Sequence, residues 1–493
     1  MTASQVRVDA ALLDRLDAEA ERFSAGLTRE YYLNHAGLKD TLEIAPLYQA
    51  HGWLFEEPLV RALLAARSRD PRLPNLRLFA VEGYLEAAAK ELTEAVAARE
   101  TQDTVAWEGR EVPYRGLSRL IANEPDPDRR RALEALRTQV VAAQNPLREE
   151  RWLALHGRAR SLGYPTYAAL MEHAAGLDLA GLRRTMGRFL EETDTPYRER
   201  LERELRRIGV EPAAAERADL AHLFRAPGFD GLFPRERLLA AYAATMADLG
   251  IDVAAQAAVR LDTEARPRKS PRAFCAPVHV PGEIYLVISP QGGQDDYRAF
   301  LHEAGHAQHF AHMEPGMPFA FRGLGDNAIT EGFAFTLEHL THEPGWLARH
   351  LGVADAAAYV SFVRFHTLYM VRRYAAKLEY ELALHGPDDP RSKAKVYADT
   401  LTACLGVRWS PADYLADVDD GFYAARYLRA WIFDAVLRAA LRRRFGPAWY
   451  ASAEAGAALR ELWRQGQRRP VEDLARELDG GLDAGPLLAE VLS

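Results

Sequence analysis

The chain has 493 residues, of which 48% are hydrophobic and 27% are charged, as in an ordinary globular protein. Its formal net charge of −8 argues against a nucleic-acid binder, since such proteins rely on basic contacts to phosphate. Cys275 and Cys404 are its only cysteines, which excludes a disulfide framework and favours a reducing compartment. The N-terminal stretch lacks the apolar core of a signal peptide, and no segment approaches a transmembrane span. We therefore expect a cytoplasmic protein without membrane contacts.

The first half of the chain is predicted to be almost entirely helical. Apolar residues recur at helical spacing along several segments, which Pro or Gly residues separate. One exception, Thr104–Tyr114, is predicted to be a short hairpin that turns at Glu108-Gly109. The predicted helices are 8–36, 47–69, 76–100, 127–144, 146–162, 165–173, 178–207 and two within 213–250.

A β-like segment, Arg266–Gln291, interrupts this pattern. Its β-branched and aromatic residues predict two short strands, Arg272–Val278 and Glu283–Ile288, joined at Pro281-Gly282. Such a strand could hold an extended peptide through main-chain hydrogen bonds, or it could belong to a purely structural sheet. Helices then resume, with the best-defined ones at 346–351, 354–384, 391–404, 410–416, 421–444, 447–464 and 470–477.

The strongest chemical motif is His302-Glu303-Ala304-Gly305-His306, which directly follows the β-like segment. On a helix the two histidines lie four residues apart on one face, so both imidazoles can reach one metal ion. Glu303 is placed to polarise a water rather than to bind the metal. Asp295 and Asp296 suit the N-terminal end of this helix. Because the motif also occurs by chance, the alternative is a charged helix face with two solvated histidines.

A catalytic zinc site normally needs a third protein ligand, and the sequence offers two candidates. His312 matches the last histidine of an extended motif, but that motif needs a glycine where this chain has His309. A helix that continues through His309 would carry His312 away from the metal. The preferred candidate is Glu331, on a second predicted helix that the Gly- and Pro-rich connection 314–327 can fold back onto the first.

Taken together, these motifs resemble the zinc oligopeptidases related to thimet oligopeptidase and oligopeptidase F, which are gluzincins. Glu331 lies 25 positions after His306, which suits the third metal ligand of that family. The matching segments are Trp107–Tyr114, Leu162-Gly163-Tyr164, Arg272-Ala273-Phe274-Cys275, Gly292-Gly293, Asp296, Leu301–His309 and Leu337-Glu338.

The resemblance implies a mainly α fold, as a large, helical, two-lobed metallopeptidase body with a central cleft and a small β-sheet next to the HExxH helix. Residues 1–265 would form one wall of the cleft. Residues 266–493 would form the catalytic half, with both halves in one continuous unit. The absence of repeats, low-complexity tracts and long polar linkers favours such a single body.

One segment departs from the family pattern. These oligopeptidases carry a histidine upstream of a Gly- and Tyr-rich stretch that contacts substrate, and Leu415–Arg429 contains none. Arg426-Tyr427 instead resembles the Arg-Tyr pair of angiotensin-converting enzyme, which has the same helical architecture. The missing histidine leaves substrate preference, and peptidase activity itself, open.

By this resemblance, one zinc ion per chain would be held by His302, His306 and Glu331, with Glu303 as the general base on an activated water. Tyr427 is predicted to stabilise the oxyanion. Tyr423, one helical turn earlier, is the second choice and a candidate substrate contact, although either tyrosine could instead be a core residue.

Two arginines flank Tyr427 and could bind the C-terminal carboxylate of a peptide. Arg426 and Arg429 have the donor geometry for this contact. The alternative is that they form structural ion pairs, for instance with Asp417, Asp419 or Asp420.

The sequence thus predicts a zinc metallopeptidase that hydrolyses short unstructured peptides in a narrow cleft. Endo- or exo-cleavage and the oligomeric state stay open. One alternative is a zinc-containing peptide-binding protein that no longer cleaves, against which the intact Glu303 argues. Another is a non-peptide amidohydrolase on the same fold.

Overall fold

The computed structural model describes residues 6–266, 268–270 and 272–493 and confirms the mainly α fold. Pro267 and Pro271, within the predicted β-like segment, lie outside the described residues. Across these ranges no helix has the length and apolar character needed to cross a membrane.

The α-helices follow one another in this order. The first ten are α1 Ala10–His35, α2 Ala45–Ala50, α3 Glu57–Ala65, α4 Leu73–Gln102, α5 Tyr114–Asn123, α6 Pro127–Ser161, α7 Tyr167–Ala175, α8 Leu179–Arg207, α9 Arg217–Arg225 and α10 Leu238–Asp248. The others are α11 Gln294–Ala311, α12 Phe319–Arg322, α13 Asn327–Glu338, α14 Pro344–Trp346, α15 Ala357–Leu384, α16 Ala394–Leu405, α17 Tyr423–Phe445, α18 Ala453–Arg464, α19 Val471–Asp479 and α20 Gly485–Val491.

The strands form two small sheets. Their bounds are β1 Thr104–Trp107, β2 Arg110–Pro113, β3 Val259–Asp262, β4 Phe274–His279 and β5 Glu283–Val287. Strands β1 and β2 form the predicted antiparallel hairpin, and the turn residues Glu108 and Gly109 both have positive φ, as a tight hairpin turn requires. In the second sheet, of order β3-β5-β4, β5 pairs antiparallel with β4 and parallel with β3.

Several predicted elements differ from the structure. The predicted helix 410–416 contains only a 3-10 turn, Pro411–Tyr414, and the predicted helix 447–464 is divided into a 3-10 turn, Trp449–Ala451, and α18. The predicted helix 47–69 is divided into α2, a 3-10 turn and α3, because Pro46 and Pro58 sit where a helix starts. The helices predicted on either side of residue 145 are one helix, α6, which contains Pro146. Its buried face continues through the proline at Asn145 and Arg148, so tertiary burial offsets the lost hydrogen bond. Strand β3 lies outside the predicted strands, because its partner β5 is distant in the chain and no turn joins the two.

The chain forms two compact units. One comprises residues up to 81, 228–364 and 426–490, and the other comprises 82–227, 365–425 and 491–493. Each unit draws segments from both sides of position 265, so the units differ from the sequence halves 1–265 and 266–493. The proposal that these halves wall a central cleft stays a prediction.

The first unit contains the three-stranded sheet and the helices that pack on it. Tyr32 of α1 and Ala36, the residue that follows this helix, bury against Ala276 of β4 and Val287 of β5. Strand β4 lies at the edge of the sheet, where Pro277 is tolerated because an edge position has no need of its N–H. Helix α11 also packs against β4 and lies alongside α13.

The second unit contains the hairpin and a helical core. Val105 of β1 packs with Leu117 and Ile121 of α5 and with Leu133 of α6. Buried ion pairs add to this core. Arg130 pairs with Asp219, and Glu134 accepts hydrogen bonds from Arg137 and Arg217.

Candidate metal centre

Helices α11 and α13 approach each other closely at Gly305, and a second glycine, Gly332, lets α17 approach α13. A Cβ atom on Gly305, inside the HExxH motif, would lie 2.5 Å from the Cα atom of Ala334 and 2.8 Å from the carbonyl oxygen of Phe333. A Cβ atom on Gly332 would lie 2.3 Å from a ring carbon of Phe433 on α17. Any side chain larger than that of glycine at position 305 would therefore keep α13 from coming this close to α11.

The start of α11 is fixed by its own first turn. Asp295 and Asp296 lie in that turn, as predicted, where negative charge suits the helix dipole. The Asp296 carboxylate accepts a hydrogen bond from the backbone N–H of Gly292 at 2.8 Å. The helix then runs unbroken through His309 to Ala311, as the sequence predicted.

His302 and His306 on α11 and Glu331 on α13 converge. Their possible ligand atoms all lie within 4.8 Å of one another. The Glu331 Oε2 atom is 3.2 Å from His302 Nε2 and 3.5 Å from His306 Nε2. The side chains of His302, His306 and Glu331 are 13%, 12% and 6% exposed, so the group is largely shielded from solvent. In the described part of the chain, no other cluster of this kind could hold a metal ion.

The outward-facing nitrogen of each histidine has a different partner, and both partners lie on α13. His302 Nδ1 donates to the Glu338 carboxylate at Oε2, 3.0 Å away, and His306 Nδ1 is hydrogen-bonded to the Thr330 hydroxyl at 2.8 Å. The guanidinium of Arg298 donates to the other oxygen of Glu338 at 2.8 Å. The Glu338 carboxylate requires the ring proton of His302 on Nδ1, and in both histidines Nε2 is the nitrogen that faces Glu331.

The carboxylates of the group are held ionised. Burial alone would raise the pKa of Glu331, but the imidazoles of His306 and His302 outweigh it, and the pKa is lowered. Burial likewise opposes ionisation of Glu338, yet Arg298 and His302 bring its pKa to about 2. Two imidazole nitrogens and one carboxylate oxygen form the His2Glu donor set that suits a catalytic zinc ion.

Glu303 points toward the edge of the sheet. Its Oε2 atom accepts a hydrogen bond from the backbone N–H of Cys275 on β4 at 2.9 Å. Burial raises the pKa of Glu303 in spite of the neighbouring histidines. The Cys275 side chain is a free thiol, and burial raises its pKa well above its usual value, which makes it a poor nucleophile.

His312 and His309 take no part in the cluster. The ring of His312 lies 5.3 Å from that of Trp463, and its Nδ1 is 2.8 Å from the carbonyl oxygen of Gln308. His309 is fully buried, with its ring 4.8 Å from that of Phe333. Burial lowers the pKa of His309 to about 3, so it is a neutral core residue. The structure thus brings Glu331, and not His312, to the histidine pair.

The two predicted tyrosines lie on α17 and are half-buried. The Tyr427 ring is 5.5 Å from that of Phe335, whose own ring is 5.1 Å from that of His302. The Phe335 ring therefore contacts both Tyr427 and the candidate ligand His302. Tyr423 belongs to the other compact unit. The roles of both tyrosines stay predictions.

Arg429 has structural partners, although not the predicted ones. Its guanidinium is buried and donates to both carboxylate oxygens of Asp326 at 2.9 and 2.6 Å, and to both of Glu472 at 2.7 and 2.6 Å. Asp326 caps the N-terminus of α13 through the Ala328 N–H. Arg429 thus anchors the helix that carries Glu331.

The aspartates that the sequence offered as partners for the arginines are paired within the second unit. Asp419 accepts from Lys377 at 2.8 Å, and Asp417 and Asp420 pair with Arg373 and Arg151. Arg426 is buried on α17, and carboxylate binding by this residue stays a prediction.

Sequence reasoning missed the outer partners of the histidines. Glu338 was noted only as part of the family resemblance, and Thr330 and Arg298 were not considered. Glu331 and Glu338 lie seven residues apart, two helical turns, so the spacing places them on one face of α13. That signal was present in the sequence.

No protein-family model matches the chain, and the curated proteins contain no match either. The fold is similar to the X-ray structure of a protein provisionally named oligoendopeptidase F, with a TM-score of 0.68 and 16% sequence identity. The similarity covers 99% of this chain and 96% of that one. At this level of identity it shows a shared fold. The resemblance to angiotensin-converting enzyme around Arg426-Tyr427 stays an interpretation of the sequence.

We expect Gly305→Ala to destabilise the protein by about 1–3 kcal/mol, because the new methyl group would meet the backbone of α13 rather than a movable side chain. It should also weaken metal binding, since any shift of α13 moves Glu331 away from the histidines. Thermal unfolding and zinc titration measure the two effects. Gly157→Ala in α6 is the matched control, because no atom lies within 4 Å of its added Cβ. A Gly305→Ala variant with unchanged stability and zinc affinity would contradict this account of the helix contact.

Proposed function

We propose that the protein is a zinc-dependent metallopeptidase that hydrolyses short, unstructured peptides. The observation that carries the proposal is the convergence of His302, His306 and Glu331, with Glu303 beside them on the same helix. The shared fold with a provisionally named oligoendopeptidase F supports a peptidase rather than another hydrolase.

The donor set fits zinc better than a harder cation. Mg²⁺ and Ca²⁺ prefer sites built from oxygen ligands, whereas two imidazoles and one carboxylate suit zinc and leave a coordination position open. When bound there, zinc supplies Lewis-acid chemistry that acidifies a water and polarises a carbonyl group. The chain contributes the two oriented imidazoles and the ionised Glu331.

Glu303 is the proposed general base. It neighbours the ligand His302 without joining the ligand group, and the Cys275 amide fixes one of its oxygens. The carboxylate takes the proton of the attacking water and passes it to the nitrogen of the leaving amine. Since burial raises the pKa of Glu303, its protonated form is a less costly intermediate than that of a solvated carboxyl group.

Strand β4 is the proposed platform for the peptide. It is an edge strand, and its Cys275 amide is hydrogen-bonded to the proposed base. A peptide that pairs with this edge would lie extended beside Glu303. Tyr427 is the proposed donor to the oxyanion. Arg429 has no part in this scheme, because Asp326 and Glu472 occupy its guanidinium.

We expect the purified protein to retain about one zinc ion per chain after dialysis against metal-free buffer. Glu331→Ala should lose that zinc. His312→Ala should keep it, because the His312 ring contacts Trp463 and lies outside the ligand group. Metal content is measured by mass spectrometry of the protein-bound fraction. Zinc loss in His312→Ala with retention in Glu331→Ala would overturn the ligand assignment.

Glu303→Gln should bind zinc normally and lose kcat by about 10²–10⁴-fold, because the amide cannot accept the water proton. Turnover of a fluorogenic peptide and zinc content are measured on the same preparation. Asp295→Asn, which removes an exposed carboxylate from the same helix, is the control and should keep wild-type kcat. Substantial turnover by Glu303→Gln would exclude its role as base.

Incubation with a mixed library of short peptides, followed by mass measurement of the products, tests the function itself. We expect cleavage of peptides, loss of cleavage in the presence of a zinc chelator, and no cleavage of a natively folded protein. Zinc binding without any cleavage would favour the peptide-binding alternative. Hydrolysis confined to non-peptide amides would favour the amidohydrolase. Product masses also distinguish endo- from exo-cleavage.

A further inference from the structure

The two candidate histidine ligands differ in what holds them. Both Nδ1 atoms are hydrogen-bonded to α13, but His302 donates to a carboxylate, whereas the partner of His306 is the neutral hydroxyl of Thr330. The two histidines are otherwise alike, since they lie on one face of α11 and are equally shielded. The two histidines therefore differ in the partner of Nδ1, although each offers the same imidazole nitrogen to a metal ion.

The carboxylate that holds His302 is itself fixed. Glu338 ends α13, and its Oε1 atom accepts from Nε and from Nη2 of Arg298 at 3.1 and 2.8 Å. Its other oxygen is left for His302. Arg298 lies one turn before His302 on α11, so the three side chains link the two helices next to the candidate site. Glu338 cannot rotate away from His302 without breaking its ion pair with Arg298.

An acceptor on the outer nitrogen of a metal-bound imidazole has two effects. It fixes which ring nitrogen carries the proton, and it makes the inner nitrogen a stronger donor to the metal. An ionised carboxylate does both more strongly than a hydroxyl, because a charge-assisted hydrogen bond is about twice as strong as a neutral one.

We propose that Glu338 is a positioning residue that makes His302 the stronger of the two imidazole ligands and thereby sets the affinity of the site for its metal. The inference rests on the proposed function only in requiring that His302 and His306 bind zinc. It is independent of which bond the protein cleaves.

The test compares Glu338→Gln with a matched control. Glu343→Gln also removes a carboxylate that is 15% exposed and paired with an arginine, but the partners of Glu343 are Arg442 and His339, neither of which belongs to the ligand group. Zinc dissociation constants are measured by competition with a chelating dye, on the full chain. We expect Glu338→Gln to bind zinc about 10–100-fold more weakly. Glu343→Gln should match the wild type, and Thr330→Val should lose less affinity than Glu338→Gln.

A second readout separates positioning from folding. The visible spectrum of the cobalt-substituted protein reports the ligand field at the site, and thermal unfolding of the metal-free protein reports its stability. We expect Glu338→Gln to change the cobalt spectrum, and Glu343→Gln to leave it unchanged even where it lowers the melting temperature.

Equal zinc affinity and an unchanged cobalt spectrum in Glu338→Gln would overturn the inference while the proposed function stands. Thr330→Val losing more affinity than Glu338→Gln would reverse the proposed asymmetry and equally overturn it. Failure of the wild-type protein to bind zinc at all would instead remove the proposed function, and the inference with it.

Discussion

The candidate site depends on how closely two helices approach each other. Helix α11 provides both histidines and Glu303, but α13 provides the third ligand and the hydrogen-bond partners that orient the rings. Because Gly305 has no side chain, the backbones of the two helices are in direct contact at that point. Helix axes are ordinarily about 8–10 Å apart, which leaves room for side chains between them. At Gly305 there is no room for a side chain between α11 and α13.

The charges around this contact favour a bound cation. Three carboxylates, Glu303, Glu331 and Glu338, gather around two imidazoles, and Arg298 forms an ion pair with Glu338. Buried carboxylates are costly unless they are paired or bind a metal. A divalent ion among His302, His306 and Glu331 would compensate this excess and leave Glu303 as the group able to take up a proton. His302, His306 and Glu331 would thus bind the ion, and Glu303 would act as the base.

The two site helices, the hairpin and the pairing of β4 with β5 could be predicted from the sequence, because each depends on residues that are close together in the chain. The HExxH spacing predicted one helix face, the His309 position predicted a continuing helix, and the Gly- and Pro-rich connection predicted that α13 returns with Glu331. The turn at Glu108-Gly109 and the pairing of β4 with β5 were likewise predicted, because turn chemistry and strand propensity act over few residues.

What the sequence could not give depends on partners far apart in the chain. Arg429 pairs with Asp326 and Glu472, more than 40 positions away on either side, rather than with the nearby aspartates. Strand β3 exists because β5 pairs with it, and its own four residues carry little signal. Pro146 stays inside α6 because burial on both sides outweighs a local rule. Such pairings depend on three-dimensional packing, which one-dimensional periodicity does not encode.

The most direct test of the account is zinc-edge X-ray absorption of the purified protein, because it separates sulfur from nitrogen or oxygen ligands and recognises imidazole rings by their outer-shell scattering. The account predicts two imidazole nitrogens at about 2.0–2.1 Å and a carboxylate oxygen at about 2.0–2.2 Å, with no sulfur. Glu331→Ala, if any zinc is restored to it, should lose the carboxylate and keep both imidazoles. A third imidazole would mean that His309 or His312 binds the metal, and a sulfur ligand would implicate Cys275. Either result would contradict the site built from His302, His306 and Glu331.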